Sequence, residues 1–471
     1  MPETTVTIDG GVVRGEAGPG GSGAYVFRGL PYAAPPVGDL RWRPPQPAAG
    51  WPGVLDATRF APSCPQPPNP ALTGPASEDC LYLNVYTPTL SDGALPVLVW
   101  IHGGRFTLGA GRDYDGTKLA ADGIVVVTIN CRLGVLGFLA HPALASRPGG
   151  PSGNYGLMDQ QAALRWVQDN IRRFGGDPGN VTIAGQSSGG TSVLVHLVSR
   201  GSRGLFHRAI VQSGSFALTQ QSLATAEADG EAFAAKAGAP DQTAEGLRRL
   251  PVADLVNNFP SAAIPGVVDG EVLEEPLGTA LAAGRFARVP ILNGTSHEEQ
   301  RAFVTSAEAV SGGGGYVPVP EPVTAESYLR VITSVLNISA ERAVAIAAEY
   351  PLSAYPSPTV AFSALLSDAT FACPALQMNR WTAAWVPTFA YEFNDDNAPL
   401  QEPLSPGQQA LASTMRAAWA SFATSGNPSS AAVPWPAFSA DSAQMLSLVP
   451  PRPQVETDFA ARHHCEFWAA E

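Results

Sequence analysis

Lysine is nearly missing from this 471-residue chain: Lys118 and Lys236 are the only two, and arginine carries the remaining positive charge. The formal net charge is −13. A surface that acidic repels phosphate backbones and anionic headgroups, so neither nucleic acid nor a membrane is expected as a partner. No apolar run reaches the length that crosses a bilayer. The opening residues, Met1 to Thr5, lack the basic and apolar regions of a secretion signal. As written the chain reads as cytoplasmic, or as a secreted protein whose leader has been removed. Cysteine is scarce and odd in number, at five. Cys64 and Cys80 bracket a proline-rich loop, and a disulfide there would restrict the unfolded chain wherever the compartment is oxidising. Cys131, Cys373 and Cys465 have no evident partners and read as buried small hydrophobes. No Cys/His spacing has the pattern of a metal site, so neither metal nor cofactor is expected.

What is present is enough apolar residue, 45%, to fill a large core. Thr5 to Arg14 alternates about a glycine turn and predicts a hairpin. Leu95 to Ile101 and Ile124 to Ile129 are unbroken apolar runs, the pattern of strands buried on both faces. Further strands are expected at Ala209 to Gln212, Val289 to Leu292 and Thr388 to Phe393. Between them, Tyr114 to Ala121 reads as helix. Leu157, Leu164, Val167, Ile171 and Phe174 share one helical face. Strands alternating with helices predict an α/β fold: a central, mostly parallel sheet with helices on both faces. One domain over residues 1–471 is expected, with cap-like helical insertions at about 215–285 and 320–386.

The stretch that speaks most to chemistry runs from Val181 to Gly190. A β-rich segment leads into Gly185-Gln186-Ser187-Ser188-Gly189, and an apolar, helix-permissive run follows. Gly-x-Ser-x-Gly between a strand and a helix is the context of a nucleophile elbow. Small residues flank the serine because strand and helix backbones must approach closely there. The following helix points its first N–H groups at charge developing on a substrate.

Several longer segments resemble the type-B carboxylesterases of the α/β-hydrolase superfamily, over nearly the whole chain. They are Glu78 to Pro88, Trp100 to Gly104, Gly153 to Gln160, Asn170 to Pro178, the elbow itself, Gln212 to Gly214, and Gly294 to Gln300. The resemblance implies an α/β-hydrolase fold and hydrolysis of small-molecule carboxylic esters. It implies Ser187 as acyl nucleophile, Glu299 as the triad acid, and backbone N–H groups of Gly104, Arg105 and Ser188 as oxyanion donors. It makes His102 a structural histidine. His141 and His207 read as surface or loop residues. His196, nine residues past Ser187 on the elbow helix, lies more than two turns away.

The chain departs from the family at the proton shuttle. The order along α/β-hydrolases is nucleophile, acid, histidine, and the family's histidine follows the strand matching Thr388 to Phe393. Here Asn394 to Pro406 contains none, and the only later histidines are His463 and His464 in an expected C-terminal helix, Glu456 to Glu471. His297 is the nearest substitute base, because residues two apart on an extended segment face the same way as Glu299. Gln186 stands where the family has glutamate, Cys131 where it has tyrosine, and Arg105 where it has a small residue. Arg105 would bring a guanidinium to the substrate. The expectation is a weak or altered serine esterase. The alternatives are a non-hydrolytic enzyme binding an acyl or carboxylate ligand on the same scaffold, or a binding protein that has lost the reaction.

Overall fold

The computed structural model describes residues 4–469, except 69–73, 92, 146, 148–149, 259–265, 310–318 and 396–402. The N-terminal segment forms the expected hairpin, β1 (Thr5–Ile8) against β2 (Gly11–Arg14), with Val54–Asp56 added parallel beside β2. The remaining long strands build one eleven-stranded sheet. They are β3 (Glu16–Ala17), β4 (Tyr25–Pro31), β5 (Tyr82–Thr87), β6 (Leu95–Ile101), β7 (Val125–Ile129), β8 (Gly176–Gln186), β9 (Arg208–Gln212), β10 (Ile291–Ser296), β11 (Thr388–Phe393), β12 (Met445–Leu448) and β13 (Gln454–Glu456). Their order is β13-β12-β11-β10-β9-β8-β6-β7-β5-β4-β3. From β12 to β7 every neighbour is parallel, and antiparallel pairs close both edges.

Parallel strands are covered on both faces, so each of their residues must suit a core. Successive side chains alternate between the two layers. Val97, Val99, Val181 and Ile183 pack with Leu157, Leu164 and Val193 of helices α1 (Tyr155–Asn170) and α2 (Ser188–Val198). Leu98, Val126, Ile210 and Leu292 pack on the other side with Trp419 and Phe422 of helix α3 (Pro406–Ser425). Strand register brings Leu98 beside Val126 and Thr182, which holds the two cores on opposite faces. The helix expected over Tyr114 to Ala121 forms only at Thr117–Ala121, and the Asp115 carboxylate accepts the Thr117 N–H in the turn just before it.

Helices fill the two long connections. Leu223–Ala237, Ala244–Arg249, Val252–Asn258 and Leu277–Ala282 lie between β9 and β10. Arg301–Ala309, Tyr328–Leu336, Ala340–Glu349 and a 26-residue helical run, Pro358–Ala383, lie between β10 and β11. The most apolar stretch of that run is 61% buried within the protein, so its long apolar character serves the core. The glycine-rich loop expected at Gly312 to Gly315 falls outside the described residues.

Two sequence expectations need correction. The C-terminal segment is not one helix. It forms α4 (Phe459–Arg462) and α5 (Cys465–Ala469), broken at His464, whose φ of 51° lies in the left-handed region and cannot continue a helical turn. Cys373 and Cys465 are not isolated hydrophobes. They form a disulfide with Cα atoms 5.1 Å apart, across a separation of 92 residues that no spacing rule reveals. Cys64 and Cys80 are bonded as well, with Cα atoms 5.0 Å apart. Cys131 is the free thiol, buried, and pushed up to about 12 mainly by desolvation. A thiol-specific dye should therefore find essentially no reactive group in the native oxidised protein and one per chain after unfolding without reductant. Two or more native-reactive thiols would mean that the disulfides are not formed.

Candidate active site

Ser187 sits at the sharp turn between β8 and α2, with φ 56° and ψ −126°. A non-glycine residue rarely adopts this conformation, which costs of order 1–3 kcal/mol and persists only where the surroundings enforce it. Here they do. The Ser187 N–H donates to the Gln212 carbonyl at 2.8 Å, and the Ser187 carbonyl accepts from Thr191 N–H at 2.9 Å. A Cβ at Gly189 would lie 2.1 Å from the Ile101 carbonyl oxygen, and one at Gly185 would lie 2.4 Å from Gly189 backbone. The helix thus presses directly on the end of β6, and glycine is the residue that fits. Ser187 itself stays partly exposed.

The run His102-Gly103-Gly104-Arg105 leaves β6 beside the elbow. A Cβ at Gly103 would stand 3.2 Å from Ser187 Cβ and 2.8 Å from the Gln186 carbonyl. Gly104, Arg105 and Phe106 take successive positive φ values of 110°, 59° and 61°. The turn is closed by Thr107 and Leu108, whose N–H groups donate to the Gly104 carbonyl at 3.0 and 2.8 Å. Ser188 is the first residue of α2, where an N–H has no carbonyl a turn earlier to bond.

Glu299 lies in the turn after β10. Its Oε1 accepts from the Thr295 hydroxyl at 2.7 Å and from the Ser296 N–H at 2.6 Å, and the Ser213 hydroxyl also donates to the carboxylate. Burial pushes its pKa up, opposed by these hydrogen bonds. Ser213 ties acid to elbow. Its N–H donates to the Gly294 carbonyl at 2.8 Å, while its neighbour Gln212 holds the Ser187 N–H. Ser187 and Glu299 are therefore linked through two consecutive residues of the β9 end.

Each of the seven histidines has a defined setting. His102 is buried, and its Nδ1 lies 2.8 Å from the Gly103 carbonyl; desolvation lowers its pKa. His141, expected near the surface, is buried with Nε2 on Gln242 Oε1 and Nδ1 accepting the Ala143 N–H. His196 is locked between Ser202 Oγ and Gln160 Oε1, and burial depresses it to about 3. His207 accepts the Val181 N–H, and His464 reaches Glu349 at 2.6 Å. The sequence puts His297 beside Glu299, but the structure gives its Nδ1 to Glu392 Oε1 at 2.9 Å. His463 bridges Asp368 and that same Glu392 oxygen. Among the described residues, no hydrogen bond joins a histidine to Ser187 or Glu299.

The segment where a family histidine would stand is flanked by hydrogen-bonded residues. Asn394 N–H donates to the Leu448 carbonyl, and Gln408 Nε2 donates to Asp395 Oδ2 at 2.8 Å. Ser405 and Gln408 form a reciprocal cap at the start of α3. The part of this loop at 396–402 lies outside the described residues.

Other motif residues are structural clamps. The Arg132 guanidinium makes two hydrogen bonds to the buried Asp159 carboxylate, at 2.8 and 2.7 Å, its backbone N–H adds a third at 3.0 Å, and Arg41 grips Glu78 with the same two-pronged guanidinium. Gln160, which holds His196, also donates to Ser192 Oγ and Cys131 Sγ. Sequence reading alone missed Ser213 as the partner of Glu299, and missed Glu392 and Asp368 as the partners of His297 and His463. Of these, only Ser213, next to Gln212 in a motif already noted, had a local signal.

Comparison with known proteins identifies the family. The model of the carboxylesterase family matches residues 2–409. A fumonisin B1 esterase of Sphingopyxis macrogoltabida is 36% identical, over 88% of this chain and 81% of that protein. The para-nitrobenzyl esterase of Bacillus subtilis (strain 168) is 34% identical, over 95% of each. The crystal structure of the Geobacillus stearothermophilus carboxylesterase EST55 superposes with a TM-score of 0.86 at 33% identity, covering 98% of this chain and 99% of that one. With its doubly covered parallel sheet and strained serine elbow, the chain belongs to the carboxylesterase family, as an esterase-type serine hydrolase on an α/β-hydrolase fold.

Proposed function

We propose that Ser187 is the acyl nucleophile of a slow carboxylic-ester hydrolase. In this reading Glu299 is the site's acid, and the N–H groups of Gly104, Arg105 and Ser188 receive the oxyanion. The observation that carries it is the elbow: a partly exposed serine held in a rarely populated conformation, linked through Gln212 and Ser213 to a carboxylate. A fold does not retain that strain without a use for it. The helical segments at about 215–285 and 320–386 are read as caps over the site. Hydrolysis proceeds by attack of the Ser187 oxygen on the ester carbonyl, loss of the alcohol to give an acyl-enzyme, and attack of water on that ester. Both steps need a proton taken from the attacking oxygen. In this reading no histidine takes it: His297 bonds Glu392 instead, which supports the absence of an ordinary base. The oxyanion donors and substrate binding still act, and alone they support roughly 10³ to 10⁴ over water. Activated aryl esters, whose leaving groups need no proton, are the substrates that benefit. Arg105, partly exposed on the oxyanion turn, favours an ester that also carries a carboxylate.

The test is aryl-ester hydrolysis at graded imidazole, with the buffer reaction subtracted. Imidazole should accelerate wild type and His297→Ala alike, and should not accelerate Ser187→Ala. Arg105→Ala should lose any preference for carboxylate-bearing aryl esters over neutral ones. Imidazole stimulation that persists in Ser187→Ala removes the nucleophile. Activity that vanishes in folded His297→Ala makes His297 the base.

A further inference from the structure

A second set of reactive side chains meets where β10 and β11 end, separate from the Ser187 elbow. His297 Nδ1 stands 2.9 Å and His463 Nε2 stands 2.6 Å from Glu392 Oε1, and all three atoms lie within 4.8 Å of one another. The residues are 95 and 71 positions from Glu392 in the chain, so no spacing in the sequence marks them. Glu392 is fully buried, His463 nearly so, and His297 is 38% exposed.

A layer of supporting groups fixes each of them. Asp368 Oδ1 holds His463 Nδ1 at 2.5 Å, and the Tyr350 hydroxyl donates to Asp368 Oδ2 at 2.8 Å. Asp368 sits on a π-helical turn, Asp368–Ala372, within the long helical run, an irregularity that often marks function. Arg462 donates to the other Glu392 oxygen, Oε2, at 2.8 Å and to Glu456 Oε2 at 2.7 Å, and also pairs with Asp458. Its Nη1 lies 3.4 Å from His297 Nδ1. Glu392, Glu456 and Asp458 thus surround the Arg462 guanidinium, while Asp368 and Glu392 flank His463 on its two ring nitrogens. A cavity of about 260 Å³, lined by His297, His463, Arg462, Asp368 and Tyr355, opens on the cluster.

We propose that His297 Nδ1, Glu392 Oε1 and His463 Nε2 bind a zinc-class dication, with a water from the adjoining cavity as fourth ligand. Two imidazole nitrogens and one carboxylate oxygen suit zinc, cobalt(II) or nickel. Asp368 on the far nitrogen of His463 is the carboxylate that orients a metal-binding imidazole and raises its basicity. Donors in a tetrahedral site with bonds of about 2.0–2.1 Å stand roughly 3.3 Å apart. The two hydrogen bonds to Glu392 Oε1 therefore give way to metal bonds as both nitrogens move outward from that oxygen, with Arg462 remaining on Oε2. A metal here would pin the segment between α4 and α5 to the sheet, beside the Cys373–Cys465 disulfide. It makes no contact with Ser187.

The experiment is cobalt(II) titration of chelator-treated, full-length protein, followed by the visible absorption of tetrahedral cobalt. One equivalent per chain should bind, and added zinc should bleach the signal. His297→Ala, at a partly exposed position, should abolish the band in protein whose circular dichroism matches wild type. Asp368→Asn should weaken binding by roughly 10- to 100-fold. His464→Ala and Ser187→Ala should bind as wild type does, the latter showing independence from the esterase reading. Absence of stoichiometric tetrahedral cobalt in folded wild type overturns the proposal, as does an unchanged band in His297→Ala.

Discussion

Turnover of unactivated alkyl esters by this chain should fall roughly 10⁶-fold below that of a family member with a complete triad, the size of effect seen when a serine hydrolase loses its histidine alone. On the proposed reading binding is not the reason, since the strained elbow and the left-handed turn at Gly104 to Phe106 are both in place. The deficit lies in proton transfer. Without an adjacent base the Ser187 hydroxyl stays neutral at pH 7, and an alkoxide leaving group receives no proton as it departs. An aryl leaving group needs no such help, so the deficit should shrink sharply on aryl esters. Measuring kcat/KM for paired alkyl and aryl acetates separates the two causes. A proton-transfer defect enlarges the aryl-to-alkyl ratio, whereas a malformed oxyanion site lowers both rates together. An ordinary ratio would mean that a histidine does reach Ser187.

Gly189→Ala should be the most damaging single-methyl change at the elbow. The added Cβ would fall 2.1 Å from the Ile101 carbonyl oxygen and 2.7 Å from that of His102, both backbone atoms at the end of a central strand. Neither can rotate away, so α2 must shift off β6. Overpacking of this kind costs about 3 kcal/mol or more, and the shift would also displace the Ser188 N–H. Urea unfolding measures the first effect and aryl-ester hydrolysis the second. Gly204→Asn is the control, at an open left-handed position with no atom within 4 Å. It should cost under about 1 kcal/mol, since Asn tolerates that conformation. Equal losses in the two variants would show that the helix-to-strand contact is not tight.

The elbow was legible because its physics is local. A strained turn needs glycines at fixed offsets, and buried parallel strands need apolar runs, so both leave marks within ten residues. The same holds for the β6 and β7 strands and for the α1 face through Leu164 and Val167. The Cys373–Cys465 bond and the His297–Glu392–His463 cluster left no such mark. Their partners come from different elements and meet only once β10, β11 and the C-terminal segment are in place. Glu392 in particular lies in an apolar strand and reads as an ordinary polar interruption. His297 shows the limit of local reasoning most clearly. Its offset from Glu299 suggested a shared direction, but that rule holds along an extended strand, and both residues lie in the turn beyond Ser296.

Intact-mass and peptide spectrometry of protein mixed with an aryl acetate tests the central claim most directly. Deacylation needs the missing base as much as acylation does, so one acetyl group per chain should accumulate on the peptide containing Ser187. Imidazole should speed its release, and Ser187→Ala should show no adduct. An acetyl group found elsewhere, or aryl-ester turnover with no acetyl-enzyme at Ser187, would contradict the account.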